Sequence, residues 1–242
     1  MTDSWNKADL HIHTQYSDGA DDISTILAHV AERTDLRVIA ITDHDCIEGA
    51  LEARSLAPRY GLEVVVGEEV STDRGHLLAL FIRHRVPSGL SIPETVAAVH
   101  EQGGIAILAH PCDRICNSPL RHWPRPTLDD WRSFGLDGLE GVNGCQLDPL
   151  ANPRSQALAR RLCLAATGGS DAHHKDAIGV AHTLFRGHTA VDLRRALLER
   201  TTVASGRRWS LAEYTGWVRE SMLPRALRSL RGPAAMPTPG LG

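Results

Sequence analysis

Residues 9–19 read DLHIHTQYSDG, and the rest of the chain is best understood from this stretch. If residues 8–12 form a strand, alternate side chains point to opposite faces, so His11 and His13 lie on the same side, about 6.6 Å apart along the strand. Two imidazole rings at this spacing can bind one metal ion. The Ser-Asp-Gly next in the chain is typical of a turn, which can bring the carboxylate of Asp18 back toward the histidines. The stretch therefore predicts a metal site at the end of a first strand.

A single His-x-His pair also arises by chance, so this interpretation depends on whether similar residues recur later in the chain. They do: groups of histidine and acidic residues stand at the edges of apolar runs, namely Asp43-His44-Asp45, Glu68-Glu69, His76, His110-Pro111 and Asp171-Ala172-His173. General surface composition does not produce such placement. The repeated pattern favours one shared metal site.

The composition is that of a globular enzyme. The 242 residues suffice for one barrel of alternating strands and helices, and 42% apolar with 23% charged residues makes disorder unexpected except at the ends. A net charge of −3 and an aromatic fraction of 5% argue against a stable nucleic-acid partner. The five cysteines are scattered, which indicates reduced thiols. With no apolar run of membrane-spanning length and no hydrophobic signal region, a cytoplasmic location is expected. The oligomeric state is left open.

Apolar runs and amphipathic stretches alternate along the chain. After the first strand, strands are expected at residues 37–42, 63–67, 76–82, 105–109, 138–142 and 163–169. Helices are expected after a cap at 21–22, over 46–60, after a capping box at 91–94, near 128–134, over 152–162 with a cap at 152–153, over 192–200 and over 211–231. This alternation predicts an α/β barrel, in which the loops after the strands build the active site.

Two features depart from a regular all-parallel barrel. A tight turn at 72–75 predicts that the third and fourth strands form a hairpin, which places Glu69 and His76 at the same end of the sheet. Residues 112–126 form a long loop at the rim, and long loops in compact domains are often functional.

The chain divides into three parts on composition. We expect the barrel to occupy residues 1–207 and a C-terminal helix to occupy 208–232, exposed to solvent or available as a partner surface because arginines dominate its second half. Residues 233–242 are rich in Pro and Gly and are predicted to be a disordered tail.

The candidate ligands exceed what one ion requires. Those at or just past predicted strand ends are His11, His13, His44, Glu69, His110, Asp171 and His173. A catalytic zinc uses about three protein ligands, so a site for two or three ions is expected. Imidazole and carboxylate without thiolate suit Mn²⁺, Fe²⁺ or Zn²⁺, and we expect Mn²⁺. Such a pocket stays positive and favours an anionic substrate, with phosphate the obvious group and metal-bound water or a bridging hydroxide as the nucleophile.

These motifs, in their order along the chain, resemble those of the PHP (polymerase and histidinol phosphatase) superfamily. The resemblance covers residues 9–206 and implies a distorted (β/α)7 barrel with a trinuclear metal centre and phosphoesterase activity. Carrying the family's ligands over by position implies nine of them here: His11, His13, Asp18, His44, Glu69, His76, His110, Asp171 and His173. Glu69 is preferred to Glu68 because the family's glutamate precedes a hydrophobic residue and Ser.

Within the superfamily, the chain is most similar to the branch that hydrolyses nucleoside 3′,5′-bisphosphates and short RNA ends. That branch carries an inserted substrate-capping segment before its Ala-His-Pro motif. Here only 33 residues separate His76 from His110. The resemblance therefore implies the metal chemistry, whereas the missing insertion leaves the branch's own substrate open. A small phosphorylated metabolite, a nucleotide or a short RNA end is expected.

Other polar residues near the motifs have predicted roles. Asp43 is expected to orient an imidazole, with direct proton transfer as the alternative, and His174 is a candidate general acid. Arg114 and Arg74 are candidate substrate-binding residues, because a guanidinium binds phosphate through two hydrogen bonds. Glu140 is expected to pack or pair near the barrel. Six histidines lie off the pattern and are expected to be structural or on the surface: His29, His84, His100, His122, His182 and His188.

Three functions are compatible with these residues. We favour a metal-dependent phosphatase or phosphodiesterase. A carbamate or amide hydrolase on the same centre is the first alternative, because activated water also attacks carbonyl carbon. The second is a non-catalytic module stabilised by metal, which the number of ligands disfavours, since a structural site needs about four.

Overall fold

The computed structural model describes residues 4–115, 118–122 and 125–230. Its strands are β1 (Trp5–Asp9), β2 (Val38–Ile41), β3 (Glu63–Thr72), β4 (Gly75–Leu80), β5 (Ile105–Leu108), β6 (Gly138–Asn143), β7 (Ala165–Gly169), β8 (Ala181–Arg186) and β9 (Val203–Gly206). Its α-helices are α1 (Ile23–Arg33), α2 (Glu48–Leu56), α3 (Ile92–Glu101), α4 (Leu128–Ser133), α5 (Ala151–Leu162), α6 (Ala190–Leu198), α7 (Leu211–Trp217) and α8 (Leu223–Leu230).

The strands form one sheet in the order β7-β6-β5-β4-β3-β2-β1-β8-β9. The neighbours β1, β2 and β3 run parallel, as do β5, β6 and β7, whereas β4 is antiparallel to both β3 and β5. The predicted hairpin is confirmed, and Ser71 lies opposite His76 in its register. It brings residues near the end of β3 and the start of β4 to the same edge of the sheet.

The sheet curls until its two ends nearly meet. Thr183 of β8 donates its Oγ1 hydrogen to the carbonyl of Gly168 in β7 and accepts from the Gly168 N–H, both at 2.9 Å. A Cβ added at Gly168 would lie 2.3 Å from the His182 carbonyl oxygen, so only glycine permits this approach. The predicted distorted α/β barrel is confirmed, and the antiparallel strands β8 and β9, which sequence analysis did not identify, help to close it.

Both faces of the central strands are buried. In β2, Val38 and Ala40 belong to the apolar cluster shared with Leu80 and Phe185, while Ile39 and Ile41 belong to the cluster under the helices. This alternation follows from the two-residue period of a strand. It explains why the run at 37–42 is apolar throughout, as in other parallel strands covered by helices.

One end of the barrel is closed by α6. The Ala190 N–H donates to a carboxylate oxygen of Glu63, the first residue of β3, and Arg194 donates to the Gly103 carbonyl just before β5. Leu193 packs into the cluster that also contains Phe185. Since α6 covers the amino-terminal ends of the parallel strands, their carboxyl-terminal ends are left for a site.

Several predicted boundaries are wrong. The first strand ends at Asp9 rather than residue 12, and Cys163 is the left-handed C-terminal cap of α5 (φ 53°) rather than part of a strand. Asn152 does not cap α5, because its side chain bonds the backbone of Asn143 instead. The predicted C-terminal helix is not a single α-helix. A π-helical turn at Val218–Met222 separates α7 from α8.

Some predictions fall on parts of the chain that the structure does not describe. The tail at 233–242 lies outside the described residues, as do four positions in the loop at 112–126. None of the helices in the described ranges is both long and apolar enough to cross a membrane.

Candidate metal centre

The predicted ligands converge at the carboxyl-terminal ends of the parallel strands. His11 and His13 follow β1, His44 follows β2, and Asp171 and His173 follow β7. Glu69 lies inside β3, which extends five residues beyond the predicted end, to Thr72. His76 is in β4, His110 follows β5, and Asp18 is in the loop before α1. The barrel thus brings together residues that are far apart in sequence.

Glu69 lies at the centre of this convergence and is 1% exposed. One of its oxygens, Oε2, is 3.1 Å from His11 Nε2, 3.2 Å from His13 Nε2 and 3.2 Å from His44 Nδ1. The other, Oε1, is 3.0 Å from His76 Nδ1 and 3.1 Å from His110 Nε2. A single carboxylate is therefore surrounded by five imidazoles.

Two further carboxylates complete the cluster. Asp171 Oδ1 is 3.2 Å from His13 Nε2 and 3.5 Å from His11 Nε2. Asp18 Oδ2 is 3.0 Å from His173 Nε2, while its Oδ1 is 3.4 Å from His13 Nδ1. His13 thus lies between the two carboxylates and joins the two sides of the cluster.

The donor atoms form three overlapping groups, each with all of its atoms within 4.8 Å of one another. In the part of the chain that the structure describes, these groups are His13, Asp18, His44 and His173; His11, His13 and Glu69; and His44, Glu69 and His76. Their ligand atoms are imidazole nitrogens and carboxylate oxygens, the set that suits Mn²⁺, Fe²⁺ or Zn²⁺.

Buried nitrogens test whether these residues fit a metal. The buried atoms His11 Nε2, His13 Nδ1, His13 Nε2 and His110 Nδ1 have no hydrogen-bond partner among the described residues. Buried polar atoms are ordinarily hydrogen-bonded, and several unpaired ring nitrogens at one place indicate ligands for cations. The residues therefore fit a centre of more than one divalent ion.

The electrostatics of the cluster also favour bound cations. Burial disfavours a charged imidazole, but the facing carboxylates of Asp171, Glu69 and Asp18 outweigh it and raise the pKa of His13 to about 10. For Glu69, burial opposes ionisation, yet the facing histidines, with His11 first, hold its pKa well below the usual range. The carboxylates thus create a strong preference for positive charge in this pocket.

A buried carboxylate and amide support the ligands from beneath. Glu140 Oε1 is 3.0 Å from His11 Nδ1, and Glu140 Oε2 accepts hydrogen bonds from the His110 N–H at 2.8 Å and from Asn143 Nδ2 at 2.9 Å. Asn143 also donates to Asp171 Oδ2 at 3.0 Å. The expectation that Glu140 pairs near the barrel is confirmed. Asn143 was not predicted from sequence, although its place at the end of β6 follows the same pattern as the ligands.

Asp43 is fully buried beneath the loop that carries Asp18. Its Oδ1 accepts from the Thr14 N–H at 2.8 Å and from Ser17 Oγ at 2.6 Å, and its Oδ2 accepts from Thr14 Oγ1 at 2.8 Å. Each of these bonds is to the loop, whereas an imidazole was the expected partner. Asp43 thus fixes the backbone on which Asp18 is placed.

His174 lies beside the cluster and is 3% exposed. Its Nε2 is 2.9 Å from the Glu213 carbonyl oxygen, so this nitrogen donates, and its ring packs 5.7 Å from that of Trp209. The ring borders a cavity of about 320 Å³ that Arg219 and Asp176 also line. His174 therefore follows a candidate ligand in sequence, while the contacts of its ring are with Trp209 and the C-terminal segment.

The two predicted substrate-binding arginines lie on different parts of the rim. Arg74 lines a cavity of about 340 Å³ together with Arg125 and Asp130, and it is two residues from His76. Arg114 lies near Asp148, whose pKa is lowered by a hydrogen bond from the Leu150 N–H and by nearby arginine charges. Among the described residues, none of the six off-pattern histidines belongs to a donor group.

Two tryptophans that were not predicted from sequence lie next to a candidate ligand. The Trp209 Nε1–H donates to the Ser170 carbonyl at 2.9 Å, and its ring centroid is 6.3 Å from that of His173. The Trp217 ring is 5.7 Å from the His173 ring. Both residues come after β9, in a region without a recognisable motif, so no sequence signal links them to the site.

An α/β barrel with buried imidazole and carboxylate donors at the carboxyl ends of its strands has the architecture of a metal-dependent hydrolase. Comparison with known families is consistent with this class. The PHP domain model matches residues 9–118, and the PHP-associated model matches residues 149–202. The chain belongs to the PHP family, and its assignment as a metal-dependent phosphoesterase is confirmed at the level of the class.

Individual relatives give a similar result. The chain is 38% identical over 157 residues to the uncharacterized protein MJ1587 of Methanocaldococcus jannaschii, covering 60% of this chain and 86% of that protein. It is 35% identical over 140 residues to a 3′,5′-nucleoside bisphosphate phosphatase of Chromobacterium violaceum, covering 50% of this chain and 49% of that enzyme.

The fold also matches solved structures. A two-domain protein from Bacteroides vulgatus, described as containing a predicted PHP-like metal-dependent phosphoesterase, superposes with a TM-score of 0.71 at 19% sequence identity. The match covers 90% of this chain and 70% of that protein. At this identity the similarity establishes the fold.

Proposed function

We propose that this chain hydrolyses a phosphate ester of a small phosphorylated metabolite or nucleotide, with two or three divalent cations as cofactors. Mn²⁺ is the proposed metal, and Fe²⁺ and Zn²⁺ are the alternatives that the same donor types allow. The proposed ligands are the nine predicted from sequence: His11, His13, Asp18, His44, Glu69, His76, His110, Asp171 and His173. The observation that carries the proposal is the position of Glu69, whose two oxygens face five imidazoles.

The charge of the site supports a phosphorylated substrate. Three divalent cations would bring six positive charges against the three negative charges of Asp18, Glu69 and Asp171, so the pocket stays positive even with a bridging hydroxide. A pocket that stays positive binds an anionic group better than a neutral one. The C. violaceum relative, of which the chain spans about half, is named for a nucleotide substrate, which supports a nucleotide as one candidate.

The proposed chemistry divides between the ions and the chain. When bound, the ions supply an activated water at neutral pH and stabilise the charge that develops on the phosphoryl oxygens. The chain holds the ligand atoms in place: Glu140 fixes the ring of His11, and Asn143 fixes the carboxylate of Asp171. Fixed ligands of this kind need no rearrangement during the reaction.

Proton transfer and substrate binding have candidate residues in the chain. His174 is proposed as a general acid because it is buried beside the ligand His173. Asp43 is the second candidate, although its contacts favour a role in holding the Asp18 loop. Arg74 and Arg114 are proposed to bind substrate oxygens from the rim.

The test is hydrolysis of phosphomonoesters, nucleoside bisphosphates and phosphodiesters by the full chain with added Mn²⁺. We expect phosphate release that a chelator abolishes. Asp171→Asn and His13→Ala should each abolish turnover while leaving the chain folded. Each removes a proposed ligand, so the loss should exceed the roughly 10–100-fold typical of residues that only orient ligands. His100→Ala is the matched control, since His100 is on α3 and belongs to no donor group among the described residues.

Two results would contradict the proposal. Activity that survives both ligand substitutions would place the active site elsewhere. If a metal-loaded chain releases no phosphate from any ester but hydrolyses carbamates or amides, carbonyl hydrolysis replaces phosphoester hydrolysis as the function.

A further inference from the structure

The C-terminal segment packs against the candidate metal centre. We call residues 211–230 the C-terminal strap; it consists of α7, the π-helical turn Val218–Met222 and α8. From sequence alone it was open whether these residues face solvent, close the barrel or bind a partner. In the structure one side of the strap lies against the loop that carries Asp18 and against the ring of His173.

The first contact is with the backbone of the Asp18 loop. Ser221 Oγ donates to the Asp18 carbonyl oxygen at 2.6 Å, and Ser221 is only 2% exposed. One helical turn further on, the Arg225 guanidinium donates to the Ser17 carbonyl oxygen. Ser221 is in the π-helical turn, a local distortion that is frequent at functional sites. The strap therefore holds the loop from outside, while Asp43 holds it from inside.

The second contact is with His173 and its neighbour. The Trp217 ring centroid is 5.7 Å from that of His173 and inclined at 61° to it. The Glu213 carbonyl accepts a hydrogen bond from His174 Nε2 at 2.9 Å. An edge-to-face aromatic contact of this kind restricts the orientation of the imidazole ring.

Both contacts act on the same donor group. Asp18 and His173 are two of its four members, with His13 and His44. The side chains of Asp18 and His44 are 32% and 30% exposed, whereas those of His11 and Glu69 are 0% and 1% exposed. This group is thus more solvent-accessible than the group formed by His11, His13 and Glu69, and its geometry depends on a loop.

We propose that the C-terminal strap sets the metal affinity of the position formed by His13, Asp18, His44 and His173, with Ser221 and Arg225 as positioning residues. The inference rests on the proposed metal centre. It predicts that loss of the strap contacts weakens binding at this one position and leaves the position around His11 and Glu69 intact. Residues that orient ligands typically change metal affinity by about 10–100-fold.

The experiment measures Mn²⁺ binding to the full chain by competition with a chelator of known affinity, together with the number of ions retained after dialysis. Ser221→Ala and Arg225→Ala should each lower the affinity of the weakest-bound ion about tenfold, and the double variant should lose that ion on dialysis while keeping the others. Ser221→Thr, which retains the hydroxyl, should restore binding.

Arg219→Ala is the matched control. It removes the same charge from the same strap, but the Arg219 side chain is 77% exposed and bonds Glu220. We expect wild-type metal content in this variant. Far-ultraviolet circular dichroism of each variant checks that the barrel is folded.

The possible results separate three failures. Unchanged ion number and affinity in the double variant would overturn the role of the strap while leaving the metal centre in place. Equal loss from every position would overturn the proposed selectivity. A wild-type chain that binds no divalent ion would overturn the metal centre itself.

Discussion

Glu140 lies directly beneath His11, with its Oε1 3.0 Å from His11 Nδ1 and with both side chains completely buried. The opposite ring nitrogen, Nε2, faces Glu69 at 3.1 Å. Because the lower nitrogen is engaged by a carboxylate, the upper one is left as the ligand atom, which is how a supporting carboxylate fixes the tautomer and orientation of a metal-binding histidine. This relationship links β6 to the loop after β1.

Glu140→Gln should weaken metal binding. The amide keeps most of the shape but removes the negative charge that raises the basicity of His11, and it offers an N–H where His110 and Asn143 need an acceptor. We expect Mn²⁺ affinity to fall about 10–100-fold, measured by chelator competition. Glu101→Gln, an exposed residue at the end of α3, is the matched control. Unaltered affinity would mean that Glu140 only fills space.

Asp43→Asn distinguishes proton transfer from positioning. Asp43 accepts three hydrogen bonds from the loop at Thr14 and Ser17, so the variant should loosen the loop and lower both metal affinity and kcat. If Asp43 only positions the loop, the pH dependence of kcat should keep its shape, because the groups that transfer protons are then unchanged in the variant. If one limb of the pH profile disappears instead, Asp43 transfers a proton and the positioning interpretation is wrong.

Metal binding should stabilise the folded chain. Any ion that binds only the folded state stabilises it by RT ln(1 + [L]/Kd), about 2.7 kcal/mol per site at a hundredfold excess over Kd. We therefore expect the thermal midpoint of the chelator-treated chain to rise with added Mn²⁺. Glu69→Gln should show a much smaller rise, since five imidazoles lose their shared carboxylate. A wild-type midpoint that ignores Mn²⁺ would contradict the metal centre.

Glu213 should make the stability of the strap depend on pH. Its hydrogen bonds from Arg207 come first among the causes that lower its pKa from the usual 4.5 to about 2, with Ser210 adding to them. A carboxyl group whose pKa is lowered on folding stabilises the folded state above its unfolded pKa, and this contribution is lost as the pH falls from about 4.5 to 2.

Glu213→Gln provides the measurement. The variant should melt at a lower temperature than the wild type at pH 7, and the difference should shrink as the pH is lowered through this range. Glu199→Gln, at the exposed end of α6, should show no such pH-dependent difference. If the melting temperatures of Glu213→Gln and wild type differ by the same amount at all pH values, the charge of Glu213 does not contribute to the stability of the folded chain.

Local sequence patterns determined much of the fold. The apolar run at 37–42 predicted a strand buried on both faces, and the capping box at Ser91 predicted the start of α3, because both depend on neighbours within a few residues.

The ends of the strands were predicted less well than their existence. The first strand ends at Asp9 because the backbone beyond it is paired only through an isolated bridge between Ile12 and Ala172, a contact across the barrel. Strand β9 was missed because two of its four residues are exposed, the other two are only half-buried, and they carry no apolar pattern.

The sequence by itself determined the barrel class and the chemical types of the candidate ligands, since the motifs lie at the edges of strands and a parallel sheet brings those edges together. Only the tertiary structure decided which atoms meet. It placed Glu69 among five imidazoles, Glu140 under His11, and Ser221 against the Asp18 loop, 203 residues away in sequence. Such contacts depend on how far the sheet curls and on where the strap lies, which are properties of the whole packed chain and leave no local pattern in the sequence.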